Sequence, residues 1–538
     1  MKMKKIICAS VALIMAVGML AGCGNGSHSE AAENFSESNE TLTIKWLGYP
    51  KNPGAEAGGL AETAIEEKFN VEIEPIFYEE NKFNDKKTML MAGGEIPDLV
   101  YEMDPSNVFQ DVDQDFIVEV PYETIEKYAP EYFNYLNEYA PAAWLYSRYD
   151  DANWGLPNFN HSHTVSYNTI WRKDWLDKFG LDVPVTIDDF HEAFDKFTHG
   201  DPDGNGKDDT YGITVQGAYF TNYFNEFFGA YGCLPFDWQE VDGKIVYGGL
   251  TDACTEALKT LAQWYKEGLI HPDFIIGTSA TGGMVSNILG YQTNNATHFD
   301  YSHPNSVPNK ITIANPEAEL VFGYLPEGPD GQAGMRSWGR ACHVVSFGNT
   351  DGYGVKVPRL LQIFEEQFTN IEFAQASRLG KKGESWVDLE PGQYGIFKER
   401  LTDDYGRLDS GIRTKKGLSE DFNGPSFFAP VAISQEDWLA FSTDEYQAHL
   451  AEWKDEKYNL INPFFKVDVV PSAPDYYVDI RTKQMALMNE IILGKKPVES
   501  YKAEFEAIWN NGGGDILLEE ANDMLDVRKD VYKELGIK

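Results

Sequence analysis

Positive charge is what this chain has least of. Across 538 residues, 45 Lys and Arg face 85 Asp and Glu, for a formal net charge of −40. So acidic a surface repels phosphate backbones and anionic headgroups, which argues against nucleic-acid binding and leaves the ligand open. Cysteine is scarce too, five in all, with no short metal-ligand spacing among them. No Gly-x-Ser-x-Gly elbow, His-Glu-x-x-His helix or Gly-rich phosphate loop appears, so the usual signatures of hydrolases, metalloproteases and nucleotide enzymes are missing. Internal repeats are missing as well. The apolar stretch Ile6 to Leu20 falls short of the roughly 20 residues that a membrane-spanning helix needs.

That stretch follows Lys2, Lys4 and Lys5 and runs into Leu20-Ala21-Gly22-Cys23. A basic start, a short apolar run and small residues mark 1–22 as a signal peptide. The ending resembles the lipobox of bacterial lipoproteins, whose cysteine is lipidated and becomes the mature N-terminus. Cys23 is thus the expected lipidation site, and lipid the expected membrane contact, on the extracytoplasmic face. Residues 23–41 are polar and without periodicity, a flexible tether. Without 1–22, which hold three lysines and no acids, the charge is −43. Cys8 leaves with the leader, and Cys233, Cys254 and Cys342 remain. Cys254 falls on an apolar helix face, where a buried thiol is the plain expectation. A Cys233–Cys254 disulfide is the alternative.

Downstream, "LTIKWLGY" (42–49) alternates like a strand, and "GGLAETAIEEKFNVEIEPIFY" reads as helix then strand. "DKKTMLMAGGEIPDLVYE" repeats that order. Alternating units predict an α/β fold around a mainly parallel sheet. A second α/β region begins near "NWGLPNF" (153–159). Its helix 187–198 has Thr186 as cap, Asp189 three residues on, and Phe190, Ala193, Phe194 and Phe197 on one face. Helix 251–267 carries a stripe of Cys254, Ala257, Leu258, Leu261 and Tyr265, and Gly268 ends it. The last 60 residues read as helical, with "GGG" at 512–514 between two helices.

Five segments, in order, resemble the extracellular solute-binding proteins of ABC importers, carbohydrate family 1: "GGEIPDLVYE", "IEKYAPEYFNYL", "NWGLPNF" with "WRKDWLDKFGLDVPVTIDDF", "ALKTLAQWYKEGLIHPDF" and "MNEIILGKKPVESY". The resemblance covers nearly the whole mature chain and is closest to Gram-positive lipoproteins. It implies a type II periplasmic-binding-protein-like fold, two α/β lobes joined by hinge strands and closing over ligand. The lobes are expected to be discontinuous: 42–157 and 341–430 in the N-lobe, 158–340 in the C-lobe, and 431–538 a helical part packing on the C-lobe. Chain crossings are expected near 155–165, 335–345 and 425–435.

"HGDPDGNGKDDTYG" (199–212) is the one loop that looks built for a metal. Counted from Asp201, oxygen side chains fall at positions 1 (Asp201), 3 (Asp203), 5 (Asn205) and 9 (Asp209), with Gly206 at the turn and the Lys207 carbonyl at position 7. Position 12 is Gly212 rather than the Glu of an EF-hand, and "TYGITV" (210–215) reads as a strand, so this is no sensor hand. No His is placed to keep a catalytic coordination position open. A structural Ca2+ clip is expected, as in relatives with a similar loop. A turn that binds nothing is the alternative.

Sugars present C–H faces and many hydroxyls, so their sites combine flat aromatics with planar polar groups. In α/β sheets ligands sit beyond the carboxyl ends of strands. Trp46, Tyr49 and Glu102 occupy such ends, and Tyr219 and Asn222 follow the 211–215 strand. "AYFT" (218–221) resembles the ligand-stacking segment of maltose-type binding proteins. Arg336, Trp338 and Arg340 lie at the second crossing, and Phe427 and Phe428 in a late aromatic segment. The reading is a monomeric, lipid-anchored protein that captures an oligosaccharide and hands it to the permease subunits of an ABC importer. Two alternatives stay open: a peptide- or small-solute-binding protein of the same architecture, and a surface glycan-degrading enzyme, since 85 acids always offer some carboxylate pair.

Overall fold

In strand β1 (Leu42–Leu47) residues 42, 44 and 46 are buried while 43 and 45 face solvent, the period-two pattern of a half-covered strand. The computed structural model describes residues 35–48, 58–79, 82–159, 167–215, 223–276, 279–295, 307–335, 341–370, 372–374, 376, 386–388, 395–397 and 469–537. After β1, helix α1 (Leu60–Phe69) ends at Asn70 in the left-handed region (φ 51), and the chain turns into β2 (Val71–Ile76), parallel to β1. Helix α2 (Phe83–Ala92) and β3 (Leu99–Glu102) repeat the step, and β3 is also parallel to β1. Helix α3 (Ser106–Asp113) starts just past the end of β3. A 3-10 segment, Pro141–Tyr146, and a short hairpin of β4 (Arg148–Tyr149) and β5 (Ala152–Asn153) then lead into β6 (Leu156–Phe159).

The chain next builds a second sheet from β7 (Tyr167–Arg172). Helix α4 (Ile187–His199) carries the expected capping box between Thr186 and Asp189, and Phe190, Ala193, Phe194 and Phe197 are all buried. Trp171 of β7 stacks on Phe194, with ring centroids 5.7 Å apart, and lies 4.5 Å from Tyr291. Helix α5 (Asn225–Gly229), hairpin β8 (Trp238–Val241) and β9 (Lys244–Tyr247), and helix α6 (Asp252–Lys266) follow. Thr251 caps α6, its hydroxyl accepting from the Cys254 N–H, but Trp264, not Tyr265, completes the buried stripe. β10 (Tyr291–Asn295) and β11 (Leu320–Gly323) flank β7, both antiparallel to it. Residues 211–215, expected as a strand, form only the isolated bridges Tyr211–Leu289 and Ile213–Ile270. Gly212 shows why: it sits so close over Phe194 that a Cβ there would lie 2.4 Å from that side chain, so helix packing fixes the segment.

β12 (Ala341–Phe347) returns to the first sheet, antiparallel to both β3 and β6. Among the described residues that sheet has the order β2-β1-β3-β12-β6, and the second β10-β7-β11. The chain leaves the first sheet after Phe159, enters the second at Tyr167, and returns at Ala341. These are two α/β lobes, with helix α7 (Tyr353–Thr369) covering the first sheet over Trp46.

The C-terminal helices α8 (Ala473–Ile492), α9 (Tyr501–Asn511) and α10 (Gly514–Glu534) close the second lobe. Gln484 of α8 accepts from Tyr247 Oη at 2.9 Å and donates to the Pro235 carbonyl at 2.8 Å. Tyr501, Phe505 and Trp509 form the buried face of α9, with Trp509 4.6 Å from Tyr247. Gly513 (φ 85) and its neighbours separate α9 from α10 as expected, and a Cβ on Gly514 would strike the Trp509 ring. Asn522 of α10 pairs with Ile245 of β9, accepting from its N–H at 3.0 Å and donating to its carbonyl at 3.2 Å. Cys233 and Cys254 are buried free thiols. Cys233 Sγ donates to the Gly248 carbonyl and Cys254 Sγ to Tyr501 Oη. Burial pushes the Cys254 thiol well up. Among the described residues no helix is long and apolar enough to cross a membrane.

Candidate functional site

Strand direction locates the cleft. β1 and β3 end, β6 exits and β12 enters at one margin of the first sheet. In the second sheet β7 starts where β10 and β11 end, at the Tyr167–Asn295 pair and near Gly323. Both crossings join these two margins, so the margins face each other, and a ligand beyond the carboxyl ends of β1 and β3 lies between the lobes.

Two residues expected on that surface are inside the first lobe instead. Trp46 is fully buried and meets Phe364 of α7 edge-on at 5.7 Å. The alternation of β1 turns it into the core along with Leu42 and Ile44. Glu102 is fully buried as well, and its two oxygens accept from Lys87 Nζ of α2 at 2.6 and 2.7 Å. Lys87 also donates to Asp111 of α3 at 2.9 Å. Burial drives the Glu102 carboxyl well up against the pull of Lys87, and Asp111 adds to the rise. Burial alone would lower Lys87, but the two carboxylates more than offset it and hold the ammonium. This triad locks the end of β3 to α2 and α3 and leaves Glu102 no free oxygen for a sugar. Tyr49, Tyr219, Asn222, Arg336, Trp338, Arg340, Phe427, Phe428 and Cys23 lie outside the described residues.

On the second lobe the described cleft margin is polar. Asn294 is buried, and Thr169 Oγ1 donates to the Tyr324 carbonyl. Thr293 meets Met335 Sδ at 3.8 Å. Two donors nearby, Trp171 Nε1 and Gln292 Nε2, are buried without an acceptor among the described residues. Sequence reasoning missed one further group. Glu226 of α5 is fully buried, its side-chain partner among the described residues is Tyr291 Oη at 3.4 Å, and burial raises its carboxyl to about 7. An acid set within "YFNEFFGAY" was the available signal.

The 201–212 loop is coiled tightly, with Asp201 (φ 50), Gly204 (φ 72) and Gly206 (φ 77) in the left-handed region. Asn205 Nδ2 donates to Asp203 Oδ2 at 2.8 Å and to Asp209 Oδ1 at 3.0 Å. Asp201 Oδ2 accepts from Gly206 N, and Asp201 Oδ1 is buried with no partner among the described residues. The Lys207 N–H donates to Asn205 Oδ1. The amide NH2 thus occupies the electropositive place that a hard cation would take among these oxygens, and turning the amide over would offer an oxygen in its stead. The donor set suits calcium. The carboxylates are spread around the amide, however, and among the described residues no group of three His, Cys, Asp or Glu stands close enough to hold a metal ion. Thr210 is not a ligand here: its hydroxyl donates to the Phe197 carbonyl at 2.7 Å.

No family model matches the chain. It is 25% identical to lipoprotein LipO of Bacillus subtilis over 535 residues, 96% of this chain and 97% of that relative. It is 27% identical to the polygalacturonan/rhamnogalacturonan-binding protein YtcQ of the same organism over 274 residues, and 26% identical to the fructooligosaccharide ABC transporter substrate-binding protein FusA of Streptococcus pneumoniae over 289 residues. These two alignments span half of this chain and 53% of each relative. Among solved structures, alginate-binding protein AlgQ2 without calcium ion matches with a TM-score of 0.68 at 16% identity, covering 91% of this chain and 99% of that one. An EF-hand mutant of S. pneumoniae FusA with fructo-nystose matches with a TM-score of 0.62 at 17% identity, over the same shares. YtcQ, FusA and AlgQ2 are binding proteins by their names. In sequence and in fold, the chain is related to the two-lobed extracellular solute-binding proteins of carbohydrate ABC importers.

Proposed function

We propose that this protein captures an oligosaccharide between its two lobes and delivers it to an ABC import permease, held beside that permease by lipid at Cys23. The facing of two sheet margins across the crossings after Phe159 and before Ala341 carries this reading. Contacts with both lobes let a ligand favour the closed state over the open one. The relation to LipO over nearly the full length of both chains supports the lipoprotein assignment, and YtcQ and FusA support the sugar. The polar margin of Thr169, Thr293 and Asn294 suits hydroxyl groups. Calcium in the 201–209 loop would brace the second lobe, since Asp203 also accepts from Asn287 and Thr210 is tied to α4. No reaction chemistry is assigned to the ion.

The test is thermal unfolding of residues 24–538 against oligogalacturonides, fructooligosaccharides and short peptides, each with calcium and with chelator. Ligand at 100 times its dissociation constant adds about 2.7 kcal/mol, an easily resolved shift. Stabilisation by one glycan class, with the glycan recovered intact, is the expected result. Stabilisation by peptides alone, or breakdown of the glycan, would overturn the reading.

A further inference from the structure

Four Asn-Gly steps occur in the sequence: Asn25–Gly26, Asn205–Gly206, Asn423–Gly424 and Asn511–Gly512. In such a step the glycine nitrogen, unshielded by a side chain, can attack the asparagine side-chain carbon and close a ring. The second and fourth steps are among the described residues, and both asparagines are exposed to water. Their surroundings differ.

At Asn205–Gly206 the groups that ring closure uses are already in place. The Lys207 N–H donates to Asn205 Oδ1 at 2.8 Å, an Asx turn that polarises the side-chain carbonyl. The same donor would hold the negative charge that grows on that oxygen during attack. The Gly206 N–H donates to Asp201 Oδ2 at 3.1 Å, so the attacking nitrogen faces a carboxylate base. Gly206 is itself exposed, and no atom lies within 4 Å of where its Cβ would be. At Asn511–Gly512, the end of α9, the Gly512 N–H donates instead to the Ile508 and Trp509 carbonyls at 2.9 and 3.1 Å. Those carbonyls fix the nitrogen in the helix end and cannot carry its proton away.

We propose that Asn205 is a self-modifying residue that loses its side-chain nitrogen through attack by Gly206 N. The N–Cγ bond forms as the Gly206 proton passes to Asp201. The Cγ–Nδ2 bond then breaks, and Nδ2 leaves as ammonia with a proton returned through solvent. Water opens the resulting succinimide at either carbonyl, which leaves aspartate or isoaspartate at position 205. Nothing is oxidised or reduced, and water is the co-reactant. The product lacks the NH2 that now bridges Asp203 and Asp209 at 2.8 and 3.0 Å, and a further carboxylate stands in its place. A loop held together by its own amide becomes one of mutually repelling charges.

The test ages residues 24–538 beside a synthetic peptide of residues 199–212 at neutral pH, with conversion read by peptide mass mapping. Position 205 is expected to convert faster in the folded chain than in the peptide, while Asn511 stays intact. Asp201→Asn should slow conversion of the folded chain about 100-fold, the low end of what a positioned base supplies. An intact Asn205, or a rate no faster than that of the peptide, overturns the proposal. So does wild-type ageing of Asp201→Asn. Asn205→Asp, which stands for the direct product, is expected to melt below wild type in chelator. Equal melting would overturn the bracing role of the amide. None of these readouts uses calcium or sugar, so both earlier readings keep their own tests.

Discussion

Among the described residues, Glu226 is a carboxyl with no cation to face. Burial raises it from 4.5 to about 7, and its own backbone and Tyr291 Oη only partly oppose the rise. The folded state therefore holds this proton more tightly than the unfolded one. Its contribution to stability is complete below pH 4.5, is lost as pH climbs to 7, and stays flat above. Glu226→Gln keeps an acceptor for Tyr291 and removes the charge. It should gain up to about 3 kcal/mol at pH 8 and nothing at pH 4, read from denaturant midpoints at the two values. Equal gains at both would show that the carboxyl is already paired. Lys87→Met makes the opposite case, because it strands two carboxylates in the first-lobe core. A loss of about 3–5 kcal/mol is expected, and a near-neutral result would mean that water reaches Glu102. The Glu102 environment was not legible in the sequence. The lysine that fills it lies 15 residues away on another helix and Asp111 lies on a third element, and only tertiary packing brings them together.

Elements with local signals were the most readable. Thr186 and Asp189 announce the start of α4 because the capping box lies within one turn. Thr186→Ala should cost about 1 kcal/mol in unfolding free energy, and no change would imply that packing of Phe190 and Phe194 alone sets that end. The stripe of α6 was read one residue off, since Trp264 and Tyr265 are both apolar and only the ring of Trp264 meets Phe194 and Phe227. Residues 211–215 read as a strand, but among the described residues they pair only through single bridges to Leu289 and Ile270, and periodicity does not report how far a pairing runs. The 201–209 loop was legible as a donor set, since spacing alone lists its oxygens. Whether they meet on one point depends on how the loop backbone coils, which spacing does not report. Asp203→Ala should abolish any rise in melting temperature on adding calcium. A rise that survives the substitution would place the ion elsewhere.

At the scale of the molecule, −40 charges on one chain make self-repulsion a standing cost. Raising salt from about 0.01 M to about 1 M shortens the screening length from about 30 to 3 Å. The melting temperature should rise across that range, and a fall would mean that exposed ion pairs such as Lys483–Asp479 outweigh the excess of acids. The two-lobed plan was legible because five segments came in a recognisable order. The boundaries were less so: β6 keeps pairing with β12 as far as Phe159, and α10, expected on the second lobe, also packs on the first.

The pairing of Asn522 with both polar groups of Ile245 matters beyond the packing of α10. β9 is the edge of a two-stranded hairpin, and an open edge is a template on which another chain can add a strand. One side-chain amide, presenting a carbonyl and an NH2 as a peptide unit would, fills that position at Ile245 from within the same molecule. One route by which another copy of the chain could add a strand at this edge is thereby closed.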